Sequence, residues 1–93
     1  MKYDIIRTAQ FKRDYKAIQK RNYDVTILME VVRVIANGEE LPEKYKDHTL
    51  TGNWAGYREC HIQPDWLLIY RIEDDNLILV LSRTGNHSDL FAK

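Results

Sequence analysis

All three histidines of the chain, His48, His61 and His87, fall in its second half. Asp65 follows in a His61-Ile62-Gln63-Pro64-Asp65 segment, and Arg83 stands four residues before His87. Imidazole takes up or gives a proton near neutral pH, with an unperturbed pKa of about 6.5. A guanidinium keeps its charge and grips a phosphate with a planar fork of N–H donors. Together these groups suit one reaction, the cleavage of RNA through its own 2′-hydroxyl. That reaction needs a base for the hydroxyl, a fixed cation for the charged phosphorane and an acid for the departing 5′-oxygen. Two or three of the histidines together with Arg83 meet these needs. The scheme uses no metal and no other cofactor.

Each residue also has a plainer role. A histidine taken singly is most often structural or merely exposed. Arg83 has Asp65 and Asp89 as pairing candidates, and an Asp after Pro is a common turn residue. Trp54 and Trp66 suit core or rim packing as well as stacking against unpaired bases. His48, His61 and Asp65 lack the spacing of a tight metal-ligand motif.

For the groups to act together, residues 48, 61–65 and 83–87 must meet. Residues 2–7 alternate loosely and predict a short strand. Thr8 is placed to cap a helix in which Phe11, Tyr15 and Ile18 form an apolar stripe, with Lys12, Arg13, Lys16 and Lys20 mostly off it. Asn22 and Asp24 offer a break and a second cap. Leu28, Val31, Val32 and Ile35 mark a second helix, closed by Asn37-Gly38. Residues 38–53 show no sustained period and read as a long loop. Three strands follow, over 54–61, 66–72 and 77–81, with turns at 63–65 and 74–76. Leu77 to Leu81 is apolar on both faces, as a central strand would be. The tail from Gly85 to Lys93 holds His87, Leu90 and Phe91 just past the sheet. The order β-α-α-β-β-β predicts an α+β fold, a mainly antiparallel four-stranded sheet with a two-helix layer on one face. In such a meander alternate strand ends share a rim, so the ends near 61–66 and 83–87 converge.

The chain has 93 residues, which suits one domain spanning 1–93. Cys60 is the only cysteine, so no internal disulfide forms. The charged N-terminus lacks the apolar stretch of a signal peptide, and no run approaches the ~20 apolar residues of a membrane span. The expected location is cytoplasmic. Fourteen basic and fourteen acidic side chains cancel, which argues against general nucleic-acid binding. The distribution is uneven: residues 1–21 carry seven basic and two acidic groups, a net of +5. This charge is either a solvated helix face or a contact surface for RNA phosphates or an acidic partner.

The stretch from Tyr45-Lys46-Asp47-His48 through Gly56-Tyr57-Arg58-Glu59-Cys60-His61-Ile62-Gln63-Pro64-Asp65-Trp66 to Tyr70 resembles the signature of the YafQ branch of the RelE-type toxins. The ending Arg83-Thr84-Gly85-Asn86-His87-Ser88-Asp89-Leu90-Phe91 is similar to that branch as well, and the likeness runs nearly the whole chain. It implies a RelE-like fold and a toxin of a type II toxin–antitoxin system. Such toxins enter the ribosomal A site and cut the bound messenger, leaving a 2′,3′-cyclic or 3′-phosphate and a 5′-hydroxyl. The implied partners are a cognate antitoxin, the 70S ribosome and messenger RNA, with operator DNA bound only by the toxin–antitoxin complex and no membrane. By position, His48, His61, Asp65, Arg83 and His87 match the branch's catalytic set. Trp66 and Phe91 match residues that shape the site, and Lys46 joins them as an RNA contact. Lys12, Arg13, Lys16 and Lys20 are candidate contacts to ribosome or antitoxin. The branch can carry Asp where this chain has Glu59, so no proton-transfer role is carried over to it.

A different class remains on the same scaffold, a binding-only toxin like the ParE-type proteins that inhibit gyrase, since fold does not dictate function. A third reading is a toxin whose activity has decayed and which serves only in repression. The set of three histidines, Asp65 and Arg83 favours the nuclease.

Overall fold

In the computed structural model, residues 1–91 are described. The elements are β1 (Asp4–Arg7), α1 (Ala9–Lys20), α2 (Val25–Ala36), β2 (His48–Thr49), β3 (Arg58–Gln63), β4 (Trp66–Glu73), β5 (Ile78–Gly85) and α3 (His87–Phe91). Short 3-10 turns occupy Glu43–Tyr45, Gly52–Trp54 and Asp74–Asn76. Thr8 caps α1, its hydroxyl accepting the Phe11 N–H at 3.0 Å, and Asp24 caps α2 through the Thr26 N–H at 3.1 Å. Asn37 ends α2, and Gly38 follows with φ 78°, the left-handed position where a glycine is favoured.

The sheet has five strands in the order β1-β5-β4-β3-β2, one more than the sequence predicts. The addition is β2, a two-residue strand within the expected loop, which pairs antiparallel with β3 so that His48 faces Glu59. β1 pairs parallel with β5, and the β3-β4-β5 meander is antiparallel. The strand expected from Trp54 begins only at Arg58, because Trp54 lies in a 3-10 turn. β5 sits between β1 and β4 and runs on to Gly85, four residues past the predicted end. The tail forms the short helix α3, and residues 92–93 of the expected tail lie outside the described residues.

Both long helices pack on one face of the sheet. Phe11 and Ile18 of α1 and Leu28, Val31, Val32 and Ile35 of α2 meet Cys60, Ile62, Trp66, Leu68, Tyr70, Leu79 and Leu81 of the strands. Alternation along each strand sends the intervening residues to the other face. There Leu67 and Ile69 form a smaller cluster with Leu90 of α3, under Leu50, Trp54 and Tyr57. Loop 50–57 and α3 therefore cover part of a face that the sequence leaves open.

Two register shifts refine this pattern. In β3 the shift lies between His61 and Gln63, and in β5 it inserts Ser82 between Leu81, opposite Tyr70, and Arg83, opposite Ile69. The second bulge reverses the alternation of β5. Leu79 and Leu81 face the helices, so Arg83 would follow them in an unbroken strand. With the bulge, Arg83 shares a face with Ile69 while Thr84 turns inward. Thr84 Oγ1 there accepts the Trp66 indole N–H at 2.9 Å and donates to the Leu67 carbonyl at 2.8 Å.

Candidate active site

Cross-strand partners lie on one face, which sets out the site as two ranks across the sheet away from the long helices. His48, Glu59, Ile69 and Arg83 form one rank on β2, β3, β4 and β5, and His61, Leu67 and Gly85 form the next. His87 opens α3 two residues beyond Gly85. The imidazoles thus make a row, with ring centroids 6.4 Å apart for His48 and His61 and 6.2 Å for His61 and His87. Phe91 continues it, its exposed ring 6.3 Å from that of His87. The predicted convergence of the histidine segments is what the fold produces.

Each ring is held by a different neighbour. His48 Nδ1 lies 2.7 Å from the Lys46 carbonyl, which only accepts, so Nδ1 donates and Nε2 is left for chemistry. Nε2 faces Glu59 Oε1 at 3.5 Å, and Glu59 is buried while His48 is exposed. Lys46 enables this through a left-handed backbone, φ 51°, at the end of the Glu43–Tyr45 turn, and its own side chain is exposed. His87 Nδ1 pairs with Asp65 Oδ1 at 3.2 Å across the β3–β4 turn, which leaves its Nε2 free. His61 is half-buried, and its Nδ1 is enclosed with no hydrogen-bond partner.

α3 is short, yet several contacts fix it. Leu90 is buried in the smaller cluster. Asp89 accepts the Asn86 N–H at 3.0 Å, while Asn86 Oδ1 accepts the Asp89 N–H at 2.7 Å. Arg21 at the end of α1 donates twice to Asp89, at 2.6 and 3.0 Å. These bonds hold the Asp89 carboxyl below its ordinary pKa of 3.8, the Arg21 hydrogen bond first among the causes. Gly85 precedes α3 at φ 151°, and a Cβ there would stand 2.9 Å from Asp89 Oδ2. A side chain at 85 would therefore push Asp89 out of this arrangement.

Arg83 is not paired with Asp65 or Asp89. Its Nε and Nη2 donate to the two oxygens of Asp14 at 2.8 and 3.2 Å, and Asp14 also accepts the Thr84 N–H at 3.2 Å and Gln10 Nε2 at 3.1 Å. Asp14 is buried in α1 and covers the edge of β5 beyond the end of β1. Because the Nε side of the guanidinium is occupied, the Nη1 side is the one left to meet a phosphate. Trp66 is a correction: it is 1% exposed, its N–H is given to Thr84, and its ring meets Tyr23 edge-on, so it packs beneath the site and presents no open face for stacking RNA. Lys12, Arg13, Lys16 and Lys20 are all exposed on α1. Sequence reasoning missed Asp14, whose partner is 69 positions away, and left Glu59 without a role. The one signal for Glu59 was an acid flanked by Arg58 and Cys60 at strand spacing from His61.

Among the described residues, no group of three or more His, Cys, Asp or Glu side chains is arranged to hold a metal ion. No helix among them is long and apolar enough to cross a membrane. What the row can do is move protons at either side of a phosphodiester laid along it.

Comparison with known proteins accords with this geometry. The family described as "Bacterial toxin of type II toxin-antitoxin system, YafQ" matches residues 3–92. The mRNA interferase toxin YafQ of Escherichia coli K12 is 43% identical over 89 residues, 95% of each chain. The crystal structure of YafQ from E. coli BL21(DE3) superposes with a TM-score of 0.90 at 41% identity, covering 96% of this chain and 98% of that one. The toxin in the E. coli DinJ-YafQ toxin–antitoxin complex gives a TM-score of 0.87 at 41% identity, over 98% and 99% of the two chains. With the match running from end to end, the chain belongs to the YafQ family of toxins of bacterial type II toxin–antitoxin systems.

Proposed function

We propose that the protein is an endoribonuclease that cuts messenger RNA bound in the ribosomal A site, with no metal ion in the chemical step. The observation that carries this reading is the row of three imidazoles at about 6 Å spacing, the outer two exposed and the central one half-buried. A phosphodiester fits between neighbouring rings of such a row. His48 or His61 removes the 2′-hydroxyl proton, and the oxyanion attacks phosphorus. Arg83, released from or still resting on Asp14, stabilises the phosphorane through its Nη1 side. His87 Nε2 then protonates the 5′-oxygen, with Asp65 on Nδ1 holding the ring in place. The products are a 2′,3′-cyclic phosphate and a 5′-hydroxyl.

The charge balance supports dependence on the ribosome. A neutral chain gains little from phosphate contacts and is sensitive to salt, so the ribosome supplies the positioning. The exposed lysines of α1 are the contact surface for ribosomal RNA. A cognate antitoxin neutralises the chain by forming a complex like that of the E. coli relative with DinJ, and the complex binds operator DNA. The cytoplasm is where ribosome and messenger meet it. The test is single-turnover cleavage of ribosome-bound messenger, with the ends mapped and their chemistry identified. A cyclic phosphate and 5′-hydroxyl at a fixed position in the A-site codon are expected. Intact messenger would sink the reading, and so would ends requiring a divalent metal beyond what the ribosome needs.

A further inference from the structure

A cavity of about 560 Å³ opens beside the histidine row, lined by Ile27, Lys44, Tyr45, Lys46, His61, Ile62, Gln63 and Pro64. It exists because β2 has only two residues, opposite Arg58 and Glu59, and leaves the edge of β3 uncovered from Cys60 onward. The Glu43–Tyr45 turn crosses that gap without filling it. Its volume lies in the range of about 300–1,000 Å³ common to small-molecule sites.

Two features identify what the cavity takes. One wall is His61, a member of the row, so an occupant lies next to the reacting atoms. The remaining surfaces match the parts of a nucleotide. Tyr45 presents an aromatic ring with Lys44 Nζ 5.1 Å above its centroid, Ile27, Ile62 and Pro64 supply apolar contact, and Lys44 and Lys46 bring positive charge for flanking phosphates. Gln63, exposed at the rim, offers both a donor and an acceptor to a base edge.

Resting on the nuclease reading, we infer that this cavity receives the base of the nucleotide on the 5′ side of the cut, whose 2′-hydroxyl is the nucleophile. Besides the central His61 its lining includes Lys46, whose carbonyl holds His48 Nδ1 at 2.7 Å, which puts it on the His48 side of the row, although neither His48 nor His87 itself lines it. The nucleotide on the 3′ side then lies toward His87 and Phe91. The messenger thus crosses the site with a defined polarity, from Tyr45 to Phe91.

The test uses ribosomes programmed with messenger that is intact, or abasic on the 5′ or the 3′ side of the cut. For the unaltered chain, removing the 5′ base lowers kcat/KM by about ten- to a hundredfold, the effect of losing one base stack. In Tyr45→Ala that penalty disappears while the 3′ penalty stays. Gln63→Ala, a change on an exposed side chain that leaves the fold alone, alters base preference at the 5′ position only, and it decides the matter should Tyr45→Ala fail to fold. Cleavage of the 5′-abasic messenger at the intact rate would overturn the inference with the nuclease intact. So would an unchanged 5′ preference in Gln63→Ala, whereas a chain that cuts none of these substrates would remove both readings.

Discussion

Asp14 and Arg83 show how one buried carboxylate sets what an arginine can do. Asp14 takes the Nε side of the guanidinium together with the Thr84 N–H and Gln10, so it defines which N–H groups of Arg83 face outward. Asp14→Asn keeps the shape but weakens the charged hydrogen bonds. Cleavage should fall about tenfold or more, and the loss should vanish when Arg83 is already Ala. A double-mutant cycle on the single-turnover rate measures this, and equal losses in both backgrounds would make Asp14 merely structural. His87→Ala removes the proposed acid and should cost about 10²–10⁴-fold. A rate unchanged by that substitution would take His87 out of the mechanism. The histidines, Asp65 and Arg83 were legible from residue type and resemblance. The Asp14 pairing was not, because nothing in local spacing announces a bond between α1 and the far end of β5.

At the scale of elements, the legible parts are those with enough residues to display a period. Phe11, Tyr15 and Ile18, and Leu28 through Ile35, repeat often enough to announce α1 and α2. By contrast, β2 has two residues and α3 has five, too few for either the strand or the helix period to appear. Their existence depends on tertiary partners, β3 for one and the Leu90 contacts and Arg21–Asp89 pair for the other. The bulge at Ser82 was equally invisible, since it shifts a register that only the folded sheet defines. Its inward residue is a point of stability. Thr84→Val strands the Trp66 N–H in a buried setting and should lower unfolding free energy by about 1–3 kcal/mol, as read in urea titrations. An unaltered midpoint would show that Trp66 finds another acceptor.

Over the whole molecule, zero net charge conceals a basic α1 and acidic remaining segments. Lys16→Glu with Lys20→Glu reverses the exposed helix face and should weaken ribosome association severalfold, more so at low salt. Sedimentation with 70S particles tests this, and undiminished binding would place the contact elsewhere. A pH effect comes from the sheet face that the long helices cover. Burial first, then donation to Asp47 at 2.6 Å, raises the Tyr70 hydroxyl above its ordinary 10.0, and burial raises the Cys60 thiol above 9.0. The folded chain keeps protons that the unfolded chain releases, so stability is full below about pH 9 and declines as pH rises further. Urea midpoints taken from about pH 8 to about pH 11 should follow that course, and Tyr70→Phe should flatten it. Cys60 has a second use, because it is 0% exposed and lies in strand β3 between Glu59 and His61, the central ring of the histidine row. An alkylating reagent reaches it only when the sheet opens, so the rate of labelling becomes a clock for that opening. Timed with and without a bound antitoxin, this clock reports how firmly the partner clamps the toxin shut.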